Sequence, residues 1–194
     1  LVTSGTNIDG DGAQDENSSF GKVLFIDFEN KNKINFAKGL RVPQGLYVEG
    51  DLILTAEHGP RGGDEINKIE YKKNYGWPIT SYGEPYVEKG SNKNFFYKKN
   101  HEELGFEEPI YAFVPSIGIN QIIKVPASFS KFWKDDFLVT SLNGRSIYRI
   151  KMNNEISRVI SIEKIFIGKR IRDIIFVKDH NFFLLALEGR KLSK

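Results

Sequence analysis

Cysteine is absent from this 194-residue chain, and histidine, tryptophan and methionine are scarce, with three, two and one copies respectively. Without cysteine, disulfide bonds and thiol catalysis are excluded, although the redox compartment stays open. Long apolar runs are also missing, since no stretch approaches the ~18 residues that a membrane helix needs. No span across a membrane is therefore expected.

A strong charge of one sign is missing as well. The chain has 28 Lys and Arg against 25 Asp and Glu, which leaves a net charge of +3. That balance lacks the clustered basic face of a nucleic-acid-binding protein, so no nucleic-acid partner is expected. The motifs Gly-x-Ser-x-Gly, His-Glu-x-x-His and the phosphate loop do not occur, so hydrolase, zinc-protease and kinase functions have no support.

The residues that are present predict an all-β protein. Short runs rich in Val, Ile, Phe and Tyr recur along the chain and are separated by Gly, Asn and Asp, which is typical of strands. Sustained helical periodicity is missing, and the best helical candidate is the short segment 127–133. The hydrophobic content of 40% indicates a globular domain with a core.

A hairpin unit repeats along the chain as an apolar strand, a polar or glycine-rich turn and a second strand. Its copies are residues 1–5 with 22–27, 52–56 with 65–69, 137–142 with 146–150, and 183–187 with 189–192. Spacings near ~45 residues match the period of a β-propeller blade, which has four antiparallel strands. We expect an incomplete arc of about three to four blades, hence a fragment or a chain truncated at its N-terminal side. A small closed four-bladed propeller is the alternative.

Residues 80–108 interrupt this repeat. They carry five aromatic residues, Tyr82, Tyr86, Phe95, Phe96 and Tyr97. The segment is too long for a simple turn, and such loops often cover a site. We expect residues 1–194 to form one partial propeller domain, with an insertion at 80–108 that joins two blades.

The segment Thr55-Ala-Glu-His-Gly-Pro-Arg-Gly-Gly-Asp-Glu-Ile-Asn67 concentrates ligand chemistry in one turn. A plain reversal of the chain needs only a glycine or an Asn-Gly pair. Oxygen-rich clusters beside free carbonyls suit Ca²⁺, and the alternative for Asp64 and Glu65 is a turn cap beside a solvated side chain. His58 is favoured as a ligand contact over a structural histidine, whereas His101 and His180 are expected on surface loops.

Two other groups of residues could bind charged ligands. Arg170 and Arg172 are two positions apart, so on a strand they share a face and suit a ligand with several carboxylates. The alternative is a surface ladder with Asp173. Near the start of the chain, Asn7, Asp9, Asp11 and Gly12 follow the first half of a calcium loop. Ser18 then stands where the loop needs an acidic ligand, so a plain acidic turn is favoured.

These motifs resemble the soluble glucose/sorbosone dehydrogenase family, the quinoprotein aldose dehydrogenases. The resemblance follows the family order over nearly the whole chain. It lies in Arg41-Val-Pro-Gln-Gly-Leu46, the segment from Glu57 to Asn67, Asn74-Tyr-Gly-Trp-Pro78, Ala13-Gln-Asp15 with Gly21-Lys-Val-Leu24, and Arg170-Ile-Arg-Asp173. It implies the C-terminal part of a six-bladed propeller that binds pyrroloquinoline quinone (PQQ) and Ca²⁺. Such proteins oxidise the C1 hydroxyl of aldose sugars in the periplasm and pass electrons to an external acceptor.

The resemblance also implies roles for particular residues. The set expected to contact the quinone is Arg41, His58, Asp64, Tyr111, Ser116, Arg170 and Arg172. The carbonyls of Gly59 and Pro60 resemble ligands of the Ca²⁺ that touches the quinone, and Glu65 with the carbonyl of Tyr75 resembles the ligands of a second, structural Ca²⁺. The family's catalytic histidine is expected upstream of Leu1, so no catalytic residue is assigned here and this chain alone is expected to be inactive. The resemblance places the protein in the periplasm or outside the cell.

Three positions depart from the family pattern. Val42 stands where Asn is favoured, Thr6 where an acidic residue is expected, and Asn143 where some members have Lys. Each change removes a polar contact of ~1–3 kcal/mol, and together they count against tight PQQ binding. A non-catalytic propeller that binds a carbohydrate or protein partner at the same face is therefore the alternative function. The sugar and the oligomeric state stay open.

Overall fold

A computed structural model describes residues 1–6, 10, 12–86 and 96–189. Within these residues, thirteen strands form four antiparallel sheets. Helix is limited there to two 3-10 turns, Glu102–Leu104 and Lys178–His180. The predicted all-β class is confirmed. No helix in the described part of the chain has the length and apolar character needed to cross a membrane.

The strands of each sheet follow one another in chain order. The first sheet contains β1 (Val2–Ser4), β2 (Lys22–Asp27) and β3 (Asn32–Lys38). The second contains β4 (Val42–Glu49), β5 (Leu52–His58), β6 (Asp64–Lys68) and β7 (Tyr111–Phe113). The third contains β8 (Ile119–Lys124), β9 (Phe137–Ser141), β10 (Ser146–Met152) and β11 (Val159–Phe166), and the fourth contains β12 (Arg170–Val177) and β13 (Phe182–Glu188). Up-and-down sheets repeated in this way are propeller blades.

The blades form an arc whose inner side is made by the leading strands. β4 packs against β8, β8 packs against β12, and β1 approaches β4. Among the described residues the first and last sheets share no extended contact, so the arc is open. The predicted incomplete arc is confirmed, and the closed four-bladed alternative is not supported.

The core lies mainly between the second and third blades. Leu54 and Ile66 of the second blade meet Ile119, Phe137 and Ile150 of the third, and all five side chains are fully buried. β9 is buried at every position, as expected for a strand that is covered on both faces. This packing fixes the position of β4, the leading strand of the second blade, relative to β8, the leading strand of the third.

Three of the four predicted hairpins are present. β1 pairs with β2, β5 with β6, and β9 with β10. In the fourth, β13 pairs with the preceding β12, and most of its predicted partner segment, 189–192, lies outside the described residues. The predicted helix at 127–133 is wrong. The hydroxyl of Ser130 accepts the backbone N–H groups of Phe132 and Trp133, which favours a turn over a helix.

The insertion lies inside one blade. It separates β6 from β7, which are neighbours in the same sheet, so the prediction that it joins two blades is wrong. The short β7, of three residues, lacks a pattern long enough to identify a strand from sequence. The insertion is fixed near the β5–β6 turn, because Arg61 and Glu84 exchange backbone hydrogen bonds of 3.0 and 2.7 Å.

Candidate functional site

The antiparallel topology brings the candidate residues to one end of the arc. In an up-and-down blade, the start of one strand lies beside the end of the next. Arg41 precedes β4, His58 ends β5, Asp64 begins β6 and Arg170 begins β12. The leading strands β4, β8 and β12 pack side by side, so these positions share one face of the propeller arc.

The turn between β5 and β6 depends on glycine. Gly62 and Gly63 have φ values of 82° and 71°, a conformation that side chains with a Cβ rarely adopt. A Cβ on Gly59 would lie 1.9 Å from the carbonyl oxygen of Gly63. The glycines therefore let the backbone fold tightly and leave carbonyl groups at the surface of the turn.

Asp64 holds this turn to the third blade. Its Oδ1 accepts the N–H of Gly59 at 3.1 Å, and its Oδ2 accepts the N–H groups of Ile117 and Ile119, each at 2.9 Å. The side chain is buried, and both oxygens are occupied by backbone donors. Asp64, predicted as a quinone contact, thus has a clear role in holding the backbone of the site.

Arg41 lies against the same turn. Its Nη1 donates to the carbonyl oxygens of His58 and Gly59, at 3.1 and 2.9 Å. Its guanidinium carbon lies 5.3 Å from the centre of the Trp77 ring, a cation–π contact. The N–H of Thr6 donates to the Arg41 carbonyl at 2.7 Å and its hydroxyl donates to the same oxygen at 3.2 Å, so the threonine at this departure from the family pattern helps to hold the Arg41 backbone.

His58 is half-buried among positive charges. Burial lowers its pKa, Asp64 opposes that effect, and the charges of Arg41, Arg172 and Arg170 add to the lowering. The imidazole is therefore neutral at neutral pH and can accept or donate a hydrogen bond. Arg41 bonds the His58 carbonyl, and the packing of β4, β8 and β12 brings the arginine pair to the same face, so we call Arg41, Arg170 and Arg172 the cationic group around His58.

Arg170 and Arg172 meet on one carboxylate. Glu188 Oε2 accepts from Arg170 Nε and from Arg172 Nη2, both at 2.8 Å. The prediction that the arginines share a face is confirmed, and they form a surface ion-pair ladder as in the alternative, although its carboxylate is Glu188 and not Asp173. Asp173 instead accepts the N–H of Ile174. Both guanidiniums remain about half exposed and can bind a further anion.

The predicted metal ligands line one small cavity. It measures about 10 Å³, roughly the space of one water molecule or ion. Its walls are Arg41, Glu57, Gly59, Pro60, Glu65, Tyr75, Trp77, Thr80 and Ser81. The four residues that the resemblance assigned to two separate Ca²⁺ ions, Gly59 and Pro60 for one and Glu65 and Tyr75 for the other, therefore line one cavity with room for a single ion.

The cavity has a donor set that suits a hard cation. Glu57 and Glu65 face each other across β5 and β6 and are buried. Burial raises the pKa of Glu57 to about 7 and that of Glu65 well above its usual range. Thr80 Oγ1, in the cavity wall, is buried without a hydrogen-bond partner, as is Oδ1 of Asn67, which lies behind Glu57 and bonds it through Nδ2. Oxygen groups of this kind match the preference of Ca²⁺.

Other ligands would have to come from backbone carbonyls, because the described residues contain no group of three or more His, Cys, Asp or Glu suited to a metal. The Gly59 carbonyl already accepts from Arg41, and the Pro60 carbonyl lies 3.5 Å from Ser116 Oγ. On the carboxylate side, Glu57 Oε1 accepts the N–H of Arg41 and Glu57 Oε2 accepts the amide of Asn67, so both sides of the cavity already hold hydrogen bonds.

Of the two remaining predicted quinone contacts, Ser116 lies at the β5–β6 turn and Tyr111 lies in an outer strand. Ser116 approaches Pro60 in the β5–β6 turn and so belongs to the gathered group. Tyr111 lies in the outer strand β7, opposite Ile66, with its ring 4.8 Å from that of Phe113. Within the described part of the chain, no hydrogen bond or ion pair joins Tyr111 to the arginines, and its role as a quinone contact stays a prediction.

Sequence reasoning missed the roles of three buried polar residues. Glu57 could have been found from the hairpin register, which places it opposite Glu65. His101, predicted on the surface, is buried and stacks on Tyr82 with ring centres 5.3 Å apart, so that prediction is wrong. Lys22 is fully buried and donates to three carbonyls, a role for which the sequence carries no signal.

Two further predictions concern surface positions. His180 is exposed, as expected. Asn7, Asp9 and Asp11 of the predicted acidic turn lie outside the described residues.

Comparison with known proteins adds to this geometry. The family model described as Glucose / Sorbosone dehydrogenase matches residues 1–192. The chain is 28% identical over 157 residues to the aldose sugar dehydrogenase YliI of Escherichia coli (strain K12). The match covers 78% of this chain and 40% of that protein. It is 38% identical over 73 residues to quinoprotein glucose dehydrogenase B of Acinetobacter calcoaceticus, which covers 37% of this chain and 13% of that protein.

The fold matches a solved structure of similar architecture. A glucose dehydrogenase crystal structure superposes with a TM-score of 0.85 at 25% identity, over 97% of this chain and 57% of that chain. The chain thus spans about half the length, or less, of these relatives.

Proposed function

The chain belongs to the glucose/sorbosone dehydrogenase family, and we propose that its protein oxidises the C1 hydroxyl of aldose sugars with bound PQQ and Ca²⁺. In this proposal the chain supplies the cofactor- and calcium-binding walls of the site. When bound, PQQ supplies the hydride acceptor and Ca²⁺ supplies Lewis-acid polarisation. Names of the relatives support the sugar substrate and the quinone, since they include an aldose sugar dehydrogenase and a quinoprotein.

The observation that carries the proposal is the cationic group at the end of the arc. Arg41 donates to the His58 carbonyl at 3.1 Å, Arg170 and Arg172 lie at the same end of the arc, and Glu188 is the carboxylate that pairs with these two. A small ligand with several carboxylates, such as PQQ, would complete the charge balance by bidentate contacts. His58 and Ser116 would orient it by hydrogen bonds, and Asp64 would hold the turn that presents His58.

The second, structural Ca²⁺ would be held at the cavity between β5 and β6. Glu57 and Glu65 would supply its carboxylate oxygens, and Tyr75 and Thr80, which line the same walls, would add a carbonyl and a hydroxyl oxygen. The cation would neutralise two buried carboxylates that otherwise disfavour each other. The expected result is higher thermal stability in Ca²⁺ than in a chelator.

Titration calorimetry with PQQ tests the cofactor claim. Arg170→Ala with Arg172→Ala is expected to lower PQQ affinity at least tenfold, because two charge-assisted contacts are lost. Arg158→Ala with Lys164→Ala removes the same charge from exposed positions at β11 and is the matched control. Equal losses in both variants would mean that only net charge matters, and would count against a specific site.

The activity claim is tested on the complete protein. After reconstitution with PQQ and Ca²⁺, it is expected to reduce a dye acceptor when an aldose is supplied. Absence of both dye reduction and a change in quinone absorbance would refute the enzyme function. We also propose a periplasmic or extracellular location, which follows from the family resemblance and is tested by cell fractionation.

A non-catalytic propeller is the second candidate. Val42 pairs with His58 in the β4–β5 register and offers no hydrogen bond through its side chain, and the exposed Asn143 adds no positive charge. Both features weaken the case for tight PQQ binding. Submicromolar PQQ binding would count against this candidate, whereas sugar binding without PQQ binding would favour it.

A further inference from the structure

A buried amide connects the two walls of the site. Asn120, on the leading strand β8, is 5% exposed. Its Nδ2 donates to the backbone carbonyl of Arg172 and lies 3.4 Å from that of Ile171. Both carbonyls belong to β12, so this single side chain bonds across two adjacent blades.

The bonded carbonyl lies at an irregular point of β12. Ile171 pairs with Leu187 and Asp173 with Ala186, so Arg172 is the extra residue of a β-bulge. A bulge leaves its extra residue unpaired in the ladder and redirects its side chain. Asn120 binds the carbonyl at that point, and it therefore fixes the direction in which Arg172 leaves the strand.

The other end of this connection is the β5–β6 turn. Ile119, the neighbour of Asn120, donates its N–H to Asp64 Oδ2, while Asp64 Oδ1 accepts the N–H of Gly59. A continuous series of contacts thus runs from the His58 turn through Asp64 and β8 to the arginine pair. On the solvent side Glu188 gathers the two guanidiniums, so Arg172 is held from its backbone and from its side chain.

We propose that Asn120 is a positioning residue that sets the place of Arg172, and with it the spacing between the arginine pair and the His58 turn. The inference rests on the proposed function in one respect: we take the ligand that binds between the arginine pair and the His58 turn to be an anion with several carboxylates. If the Asn120 amide were purely structural, its removal would lower the stability of the fold but would not change the position of the Arg172 side chain more than that of other residues. The two roles differ in what happens to the Arg172 side chain when the amide is removed.

The first experiment needs no ligand. Arginine Nε–H signals of the protein are recorded by NMR for the wild type, Asn120→Ala and the control Thr140→Val. Thr140 Oγ1 accepts the N–H of Gln121 on the same strand, so the control also removes a side-chain contact from β8. Asn120→Ala is expected to shift and broaden the Arg172 signal, while Thr140→Val leaves it unchanged. Unchanged Arg172 signals in a folded Asn120→Ala protein would overturn the inference.

The second experiment measures binding. Asn120→Ala is expected to weaken PQQ binding about 5- to 20-fold, the effect of one misplaced charge-assisted contact. In an Arg172→Ala background the same change is expected to have little further effect, because the positioned group is already gone. Equal, additive losses in both backgrounds would overturn the inference. If Asn120→Ala does not fold, Asn120→Ser, which keeps a short polar group, takes its place in both experiments.

The two failures can be told apart. A wild-type protein that does not bind PQQ refutes the proposed cofactor, and the NMR comparison then decides on Asn120 alone. A protein that binds PQQ but shows no coupling between Asn120 and Arg172 refutes the positioning role and leaves the proposed function standing.

Discussion

Replacing Asp64 by Asn should destabilise the protein by about 3 to 5 kcal/mol. The carboxylate accepts three backbone N–H groups, at 3.1, 2.9 and 2.9 Å, and is buried. An amide keeps one accepting oxygen, so it can satisfy Ile117 and Ile119 while its NH₂ faces the donor of Gly59. The loss then comprises one charge-assisted bond of about 1.5–3 kcal/mol, one buried unpaired N–H of about 1–3 kcal/mol, and weaker remaining bonds.

Urea denaturation at pH 7 measures this loss. Asp27→Asn is the matched control, because Asp27 also accepts the backbone N–H groups of two residues, Glu29 and Asn30, but at the surface, where it is only partly buried. Its effect should be much smaller. An Asp64→Asn protein within about 1 kcal/mol of wild type would refute the reasoning, since it would mean that water replaces these bonds at no cost. A variant with normal stability and impaired PQQ binding would instead support a direct cofactor contact.

Three further predictions concern charged groups. Lys22→Met should cost about 2–4 kcal/mol in urea denaturation, because three carbonyls lose their buried donor; a smaller loss than 1 kcal/mol would contradict this. The pKa of Glu57 is raised from 4.5 to about 7 by burial, so its contribution to stability is complete below pH 4.5 and is lost as the pH rises through 7. With calcium removed by a chelator, the free energy of unfolding should fall by about 3 kcal/mol over this pH range. Glu57→Gln should make that free energy depend less on pH, and an unchanged slope against pH would contradict the prediction. Glu188→Gln should raise PQQ affinity about two- to fivefold and make it depend more steeply on salt concentration. The change removes the negative charge that pairs with Arg170 and Arg172 but keeps an acceptor oxygen. Weaker PQQ binding would show that the charge of Glu188 itself is needed.

Much of the architecture could be predicted because its signals are local. Strands alternate with turns rich in Gly, Asn and Asp, and this pattern specifies three of the four hairpins within a few residues. The two-residue spacing of Arg170 and Arg172 predicted their shared face, which the bond to Glu188 confirms. The pairing of Glu65 with Tyr75 at one ion was assigned only through the family resemblance, since no spacing in the sequence connects these two residues.

Other features could not be predicted because they depend on which strands become neighbours. The insertion at 80–108 was expected between blades, yet the three-residue β7 beyond it completes the second sheet. His101 has a polar sequence neighbourhood, but the fold covers it and stacks it on Tyr82. In both cases a distant segment supplies the contact, and local composition says nothing about it.

The sequence by itself determined the all-β class, the repeated hairpins and the types of residue in the site, because these follow from side-chain alternation, turn chemistry and composition. Only the tertiary structure decided how those residues act. Asp64 and Asn120 turn out to hold backbone groups of neighbouring blades, at Ile119 and Arg172 respectively. Such partners are set when blades pack together and buried polar groups must find donors and acceptors far away in the chain.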